Sequence, residues 1–179
     1  MPLLMLKDLP RYECILEAAQ QFPDLDPSAC EAYMHLLRAA DEVFHAREAY
    51  LAGHSLSQGR FNVLVLLLDK TRNRPSPRTP AELADSAGVA RATMTGLVDT
   101  LERDGLVSRE PDPADRRMMS VHLTARGHEV LQAVLPGHFQ RMAALLSPLG
   151  ESERKTLVRL LNKIVQQTSV LRAAPVAIA

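Results

Sequence analysis

Residues 90–101 read Ala-Arg-Ala-Thr-Met-Thr-Gly-Leu-Val-Asp-Thr-Leu. At helical spacing Met94, Leu97, Val98 and Leu101 form one apolar stripe, which turns Arg91, Ala92, Thr93, Thr95 and Gly96 outward. Those residue types suit the edges of base pairs. Arginine bonds guanine through two N–H groups, threonine offers a hydroxyl and a methyl, and alanine and glycine let the backbone come close. A second cluster, Asp112-Pro113-Ala114-Asp115-Arg116-Arg117, sets two arginines at a tight turn. There a guanidinium reaches a narrow minor groove and reads its negative potential. Four charges this close cannot all face phosphate, because carboxylates would be repelled. One arginine is therefore expected to be held by an aspartate that fixes the turn, leaving the other free. Either cluster alone would be ordinary solvated surface; the two in succession are the informative feature.

The flanking sequence supplies the elements that would position them. Thr79-Pro80-Ala81-Glu82 is a capping box with proline at the first helical position, so a short helix begins there and ends at Gly88. A second helix runs from about Ala90 to Asp104-Gly105, and two short helices joined by a glycine turn make a helix-turn-helix. Period-two alternation in 106–109 and again at Met119, Val121 and Leu123, around a polar turn at 110–117, predicts a β-hairpin. Upstream, Tyr12, Ile15, Leu16 and Ala19 mark a short helix before the Pro23–Pro27 break. Tyr33 to Leu51 keeps helical spacing in a long helix ended by Gly53. Ser57 is an N-cap with Leu56 and Phe61 as a hydrophobic staple, and that helix should run through Leu68, with residues 70–78 a loop. Thr124 caps a helix expected to reach about Leu149 with a kink at Pro136-Gly137. A last helix from Glu151 carries Leu157, Leu160, Leu161, Ile164, Val165, Thr168 and Leu171 on one stripe. The fold class is mainly α with a small β-hairpin wing: a winged helix-turn-helix lobe plus a helical dimerisation scaffold. The expected division is 1–55 for an N-terminal extension helix and first dimerisation helix, 56–124 for the DNA-binding lobe, and 125–179 for C-terminal dimerisation helices.

The 179 residues, 46% apolar and 23% charged, are enough for a packed core. Two cysteines make no disulfide framework, and no apolar run is long enough for a membrane helix. Met1 to Leu6 lacks the basic lead and cleavage site of a signal peptide, so the expected location is the cytoplasm with no membrane partner. Net charge is zero, yet 70–126 holds ten Lys/Arg against eight Asp/Glu, so a small positive excess gathers in the middle. No Gly-rich phosphate loop or HExxH is present, and Ser86-Ala87-Gly88 ends a helix rather than forming a nucleophile elbow, so an enzyme is disfavoured. No cofactor or metal is called for. A zinc site from Cys30, Glu42 and His45 lacks tight ligand spacing.

Residues 80–127 resemble the MarR family of winged-helix regulators. The likeness rests on Arg91-Ala92-Thr93-Met94-Thr95, Leu97-Val98, Leu101-Glu102, Asp104-Gly105-Leu106-Val107, Asp112 to Arg117 and Leu123-Thr124-Ala125-Arg126-Gly127. It covers the central third closely; the flanking helices agree in number and position. The resemblance implies an obligate homodimer held by its first and last helices, a palindromic double-stranded DNA operator, usual repression, and release by a small molecule or an oxidant. It also implies Arg117 as the anchor of the wing and Arg116 as the probe. Ala90 stands where serine often caps the recognition helix, and Gly96 where arginine is frequent. The helix at residues 8–22 resembles the extension of a urate-responsive subgroup, but that subgroup uses a tryptophan at its ligand and this chain has none, so urate is not carried over.

In this family effectors lie between scaffold and DNA-binding lobe, which maps to the helix of Tyr33–Leu51 and the start of the next. There Arg38, His45, Arg60 and Phe61 are the candidate ligand residues, the arginines for a carboxylate and the apolar wall for an aromatic ring. Two other readings stand beside this one. Cys30 lies about one helical turn before the reactive cysteine of peroxide-sensing relatives, and redox sensing would require a lowered thiol pKa. A winged helix serving only as a protein-interaction module would tolerate loss of Arg91 and Arg116 and would not bind bulk DNA at low salt.

Overall fold

The computed structural model describes residues 8–69, 74–75, 77–111 and 119–173. Seven helices and two small antiparallel pairs of strands occur among them. They are α1 (Tyr12–Gln21), α2 (Pro27–Ala52), α3 (Gln58–Leu66), β1 (Leu68–Asp69), β2 (Arg74–Pro75), α4 (Pro80–Ala87), α5 (Arg91–Arg103), β3 (Val107–Pro111), β4 (Met119–Leu123), α6 (Ala125–Leu145) and α7 (Glu151–Ala173). The mainly helical fold with a β-hairpin wing is as the pattern of residues predicts. The chain forms two compact units, the first ending at Val134 and the second beginning at Leu135. No helix among the described residues is long and apolar enough to cross a membrane.

Local chemistry explains the boundaries. Asp26 caps α2 by accepting from the backbone N–H groups of Ser28 and Ala29, with Pro27 at the first helical position. At the other end of α2 the Leu56 N–H donates to Leu51 O and the Ser55 N–H to Ala52 O, the paired bonds of a Schellman stop. Ser55 takes the left-handed φ of 57° that such a stop demands, and Leu51 and Leu56 are both buried beside it. Ser57 caps α3 through the Arg60 N–H, and Phe61 is buried, as the staple requires. The capping box at Thr79 is complete: its hydroxyl accepts from the Glu82 N–H, and its own N–H donates to Glu82 Oε2 at 2.8 Å. Gly88 closes α4 at φ 64°, where a Cβ would be strained.

Three expectations need correction. Helix α3 stops at Leu66, not Leu68, because Leu68 and Asp69 pair with Pro75 and Arg74. The segment 70–78 is thus not wholly loop. Arg78 also joins the wing, exchanging backbone hydrogen bonds with Val121 at 3.2 and 2.8 Å, a pairing across 43 positions that no local pattern shows. Helix α6 ends at Leu145 rather than about Leu149, with Pro136 inside it.

The core of the first unit gathers Leu51, Phe61, Leu64, Leu67, Leu83, Met94, Val98, Leu101, Val107, Val121, Leu131 and Val134. These come from α2 through α6, so the helix-turn-helix and the wing share one interior. In the second unit α7 leaves Leu157, Val158, Leu160, Leu161, Ile164, Val165 and Leu171 exposed.

Candidate nucleic-acid interface

Helix α5 is anchored by its stripe. Met94, Val98 and Leu101 are fully buried, and half-buried Leu97 packs over Gly59. The opposite side is bare: Arg91, Ala92, Thr93, Thr95 and Gly96 are all exposed, with Val89 and Ala90 just before them. The structure therefore brings the five candidate base-reading residues onto one surface at the N-terminal half of the helix. Ala90 makes no side-chain cap, so the first amides of α5 keep their N–H groups free of a capping oxygen. The Thr95 hydroxyl donates to Arg91 O at 3.0 Å, which fixes the rotamer and leaves its lone pairs and methyl facing out. A Cβ placed on Gly96 would meet nothing within 4 Å. Internal packing gives no reason for glycine there.

The C-terminal half of α5 is held by ion pairs that the residue pattern had not singled out. Arg109 on β3 donates to Asp99 Oδ1 at 2.5 Å and Glu102 Oε2 at 2.6 Å, while its backbone N–H reaches Glu102 Oε1 at 3.1 Å. Burial lowers the pKa of this guanidinium, but the two carboxylates outweigh it and raise the pKa above the usual arginine value. One side chain thereby ties recognition helix to wing. Strands β3 and β4 pair from Val107↔Leu123 to Pro111↔Met119. Arg116 and Arg117 lie outside the described residues, as do Asp112 and Asp115.

The four candidate effector residues are not gathered. Arg38 pairs with Glu42 at 2.5 Å, and His45 sits between Asp41 at 3.5 Å and Glu48 at 3.8 Å, all along α2. Phe61 is buried in the core. Arg60 points the other way, pairs with Asp104 and faces a cavity. A residue not singled out above, Arg47, lies over the Phe61 ring at 5.4 Å and donates to Asn62 Oδ1 at 2.5 Å and Gln58 Oε1 at 3.3 Å. Burial lowers its pKa. Cys30 is half-buried, and the described residues contain no cluster that could hold a metal.

The MarR family model matches residues 56–119, the lobe just described. The transcriptional repressor YetL of Bacillus subtilis is 37% identical over 167 residues, 93% of this chain and 98% of the relative. The chain belongs to the MarR family. It is a transcriptional regulator of the MarR type, in a family of DNA-binding regulators rather than enzymes. The MarR likeness extends to the regulator PecS of Dickeya dadantii, 27% identical over 86% of this chain and 94% of that one. Among solved structures, Bordetella bronchiseptica BpsR, described for the regulation of its DNA binding by 6-hydroxynicotinic acid, matches at 27% identity. Its TM-score is 0.63, over 73% of this chain and 91% of that one. Sco3205 of Streptomyces coelicolor, solved with DNA, shares the fold at a TM-score of 0.72 over 90% of this chain and 92% of that one, at 23% identity.

Proposed function

We propose that this regulator represses transcription in the cytoplasm by binding a palindromic operator as a homodimer, and that a small effector releases it. The observation that carries the DNA reading is the face of α5. Its apolar side chains are spent on the core, while Arg91, Thr93 and Thr95 stand out beside an open Gly96. In a helix-turn-helix the first turns of the second helix face base edges. The wing completes the interface: Arg116 probes the minor groove and Arg117 anchors the turn. Residues 56–124 form the DNA-binding lobe in this reading, and 1–55 with 125–179 the dimerisation scaffold.

The exposed apolar stripe of α7 supports the homodimer. Obligate interfaces are large and apolar, and a two-fold pair places two recognition helices for two half-sites. The effector reading is supported by the similarity to BpsR, whose DNA binding is regulated by 6-hydroxynicotinic acid.

The test is selection of an operator from random DNA, followed by comparison of that site with random sequence. Arg91→Ala should weaken the selected site by about 1–3 kcal/mol and relax its sequence preference. Equal loss on selected and random DNA would make Arg91 a phosphate contact and remove the base-reading assignment. A monomer in sedimentation at micromolar concentration would remove the homodimer.

A further inference from the structure

The two exposed threonines in the first turns of α5 differ in what their hydroxyls do. Thr95 Oγ1 donates its one proton to Arg91 O at 3.0 Å, so the oxygen is drawn in against the helix's own backbone. Among the described residues the Thr93 hydroxyl has no such partner. The other polar group beside Thr95 is committed as well: Asp99, one turn further on, has its Oδ1 held by Arg109 Nη2 at 2.5 Å. Ala92, one turn before, contributes a methyl, and Gly96 contributes no side chain. Both are exposed, and a Cβ on Gly96 would meet nothing within 4 Å, so the space over this strip is open among the described residues. What the strip presents is the Cγ2 methyl of Thr95 beside the Cβ of Ala92, at i+3 and i on one side of the helix.

We infer that Thr95 reads the 5-methyl group of a thymine through its own methyl, with Ala92 beside it in the contact, and that its hydroxyl takes no part in choosing the base. In the major groove thymine alone carries an apolar group on its edge, while the other three bases present donors and acceptors. A hydroxyl whose proton is spent on Arg91 O has nothing to donate to guanine N7 or O6, adenine N7 or thymine O4. A hydroxyl with its proton free, as at Thr93, can turn to whichever acceptor is near and so discriminates weakly. Two methyls brought together leave water, and that gain is absent for any base without one. The inference rests on the base-reading assignment of α5 above and names the base feature that one of its residues reads.

The test takes the operator selected from random DNA and the full-length protein. In copies of that operator each thymine in turn is replaced by deoxyuridine, which keeps every hydrogen-bonding group and lacks only the methyl. At one thymine position the wild type should bind the uridine copy about fourfold more weakly, the factor that one buried carbon of about 0.8 kcal/mol gives. Thr95→Ser keeps the hydroxyl and removes the methyl. It should bind the thymine operator about fourfold more weakly than the wild type and be indifferent to uridine at that position. Thr95→Val keeps a methyl and removes the hydroxyl, and it should bind as the wild type does and retain the fourfold loss. Thr93→Ser, which removes the other exposed threonine methyl, should retain it too. A loss at no thymine, a uridine loss that survives in Thr95→Ser or vanishes in Thr93→Ser, or a Thr95→Val protein as weak on the thymine operator as Thr95→Ser would overturn the inference. Selection that yields no site would overturn it together with the base-reading assignment. A selected site on which Arg91→Ala loses more than on random DNA, but where no thymine methyl matters, would overturn this inference alone.

Discussion

Two glycines 31 positions apart in the first unit separate a part shaped by the protein's own packing from a part that this packing leaves open. At Gly127, in the first turn of α6, a Cβ would meet Leu106 O at 2.1 Å and Leu123 Cδ1 at 2.8 Å. At Gly96, on the face of α5, it would meet nothing. The same contrast runs along α5 itself. Its C-terminal half is gripped by Arg109 and Arg60, and its N-terminal half has no side-chain cap and an outer face left exposed. Residues with internal partners set where the helix lies; residues without them are the ones the proposed function assigns to DNA.

The largest effect should come from the crowded glycine. Gly127→Ala must push a methyl into a backbone carbonyl, and we expect a loss of about 3 kcal/mol in a denaturant titration, the upper range for overpacking. A loss under about 0.5 kcal/mol would mean that α6 and the Leu106 turn are not in close register. Next comes the clamp. Arg109→Ala leaves Asp99 and Glu102 facing each other without their cation and should cost about 1–2 kcal/mol, discounted because Asp99 is largely exposed. Operator affinity should fall with it, as the wing loses its tie to α5. Full affinity in a folded Arg109→Ala protein would show that the clamp does not position the reading face.

The open glycine sharpens the comparison by giving opposite signs in two assays. Gly96→Ala should raise stability by about 0.5–1 kcal/mol, the helix propensity gained at an exposed site, and yet weaken operator binding by filling the space between backbone and base edges. Both quantities rising together would place Gly96 outside the groove. The smallest effect lies far from both glycines. Hydrogen bonds from the Ala29 amide first, then the Ser28 hydroxyl and amide, hold the Asp26 carboxyl below its ordinary 3.8. Its folded pKa being depressed, the cap is fully present above pH 3.8 and is lost as pH falls through the lower folded value. Ser28 and Ala29 amide exchange should quicken there, with the α5 amides unaffected.

Much of this architecture was legible in the sequence because its signals are local. The Thr79–Glu82 box, the Gly88 stop, the Ser57 and Thr124 caps and the alternation of 119–123 each act within a few residues, so spacing alone declares them. The outward set Arg91, Ala92, Thr93, Thr95 and Gly96 followed from the same helical period that buries Met94, Val98 and Leu101. Only the tertiary structure decided which charged groups meet. Arg60 pairs with Asp104 across 44 positions, Arg78 bridges Val121, and Phe61 turns into the core while its neighbour Arg60 turns to a cavity. A period tells which way a side chain leaves its own helix; what it finds there depends on how the other elements pack, and that is written in no single segment.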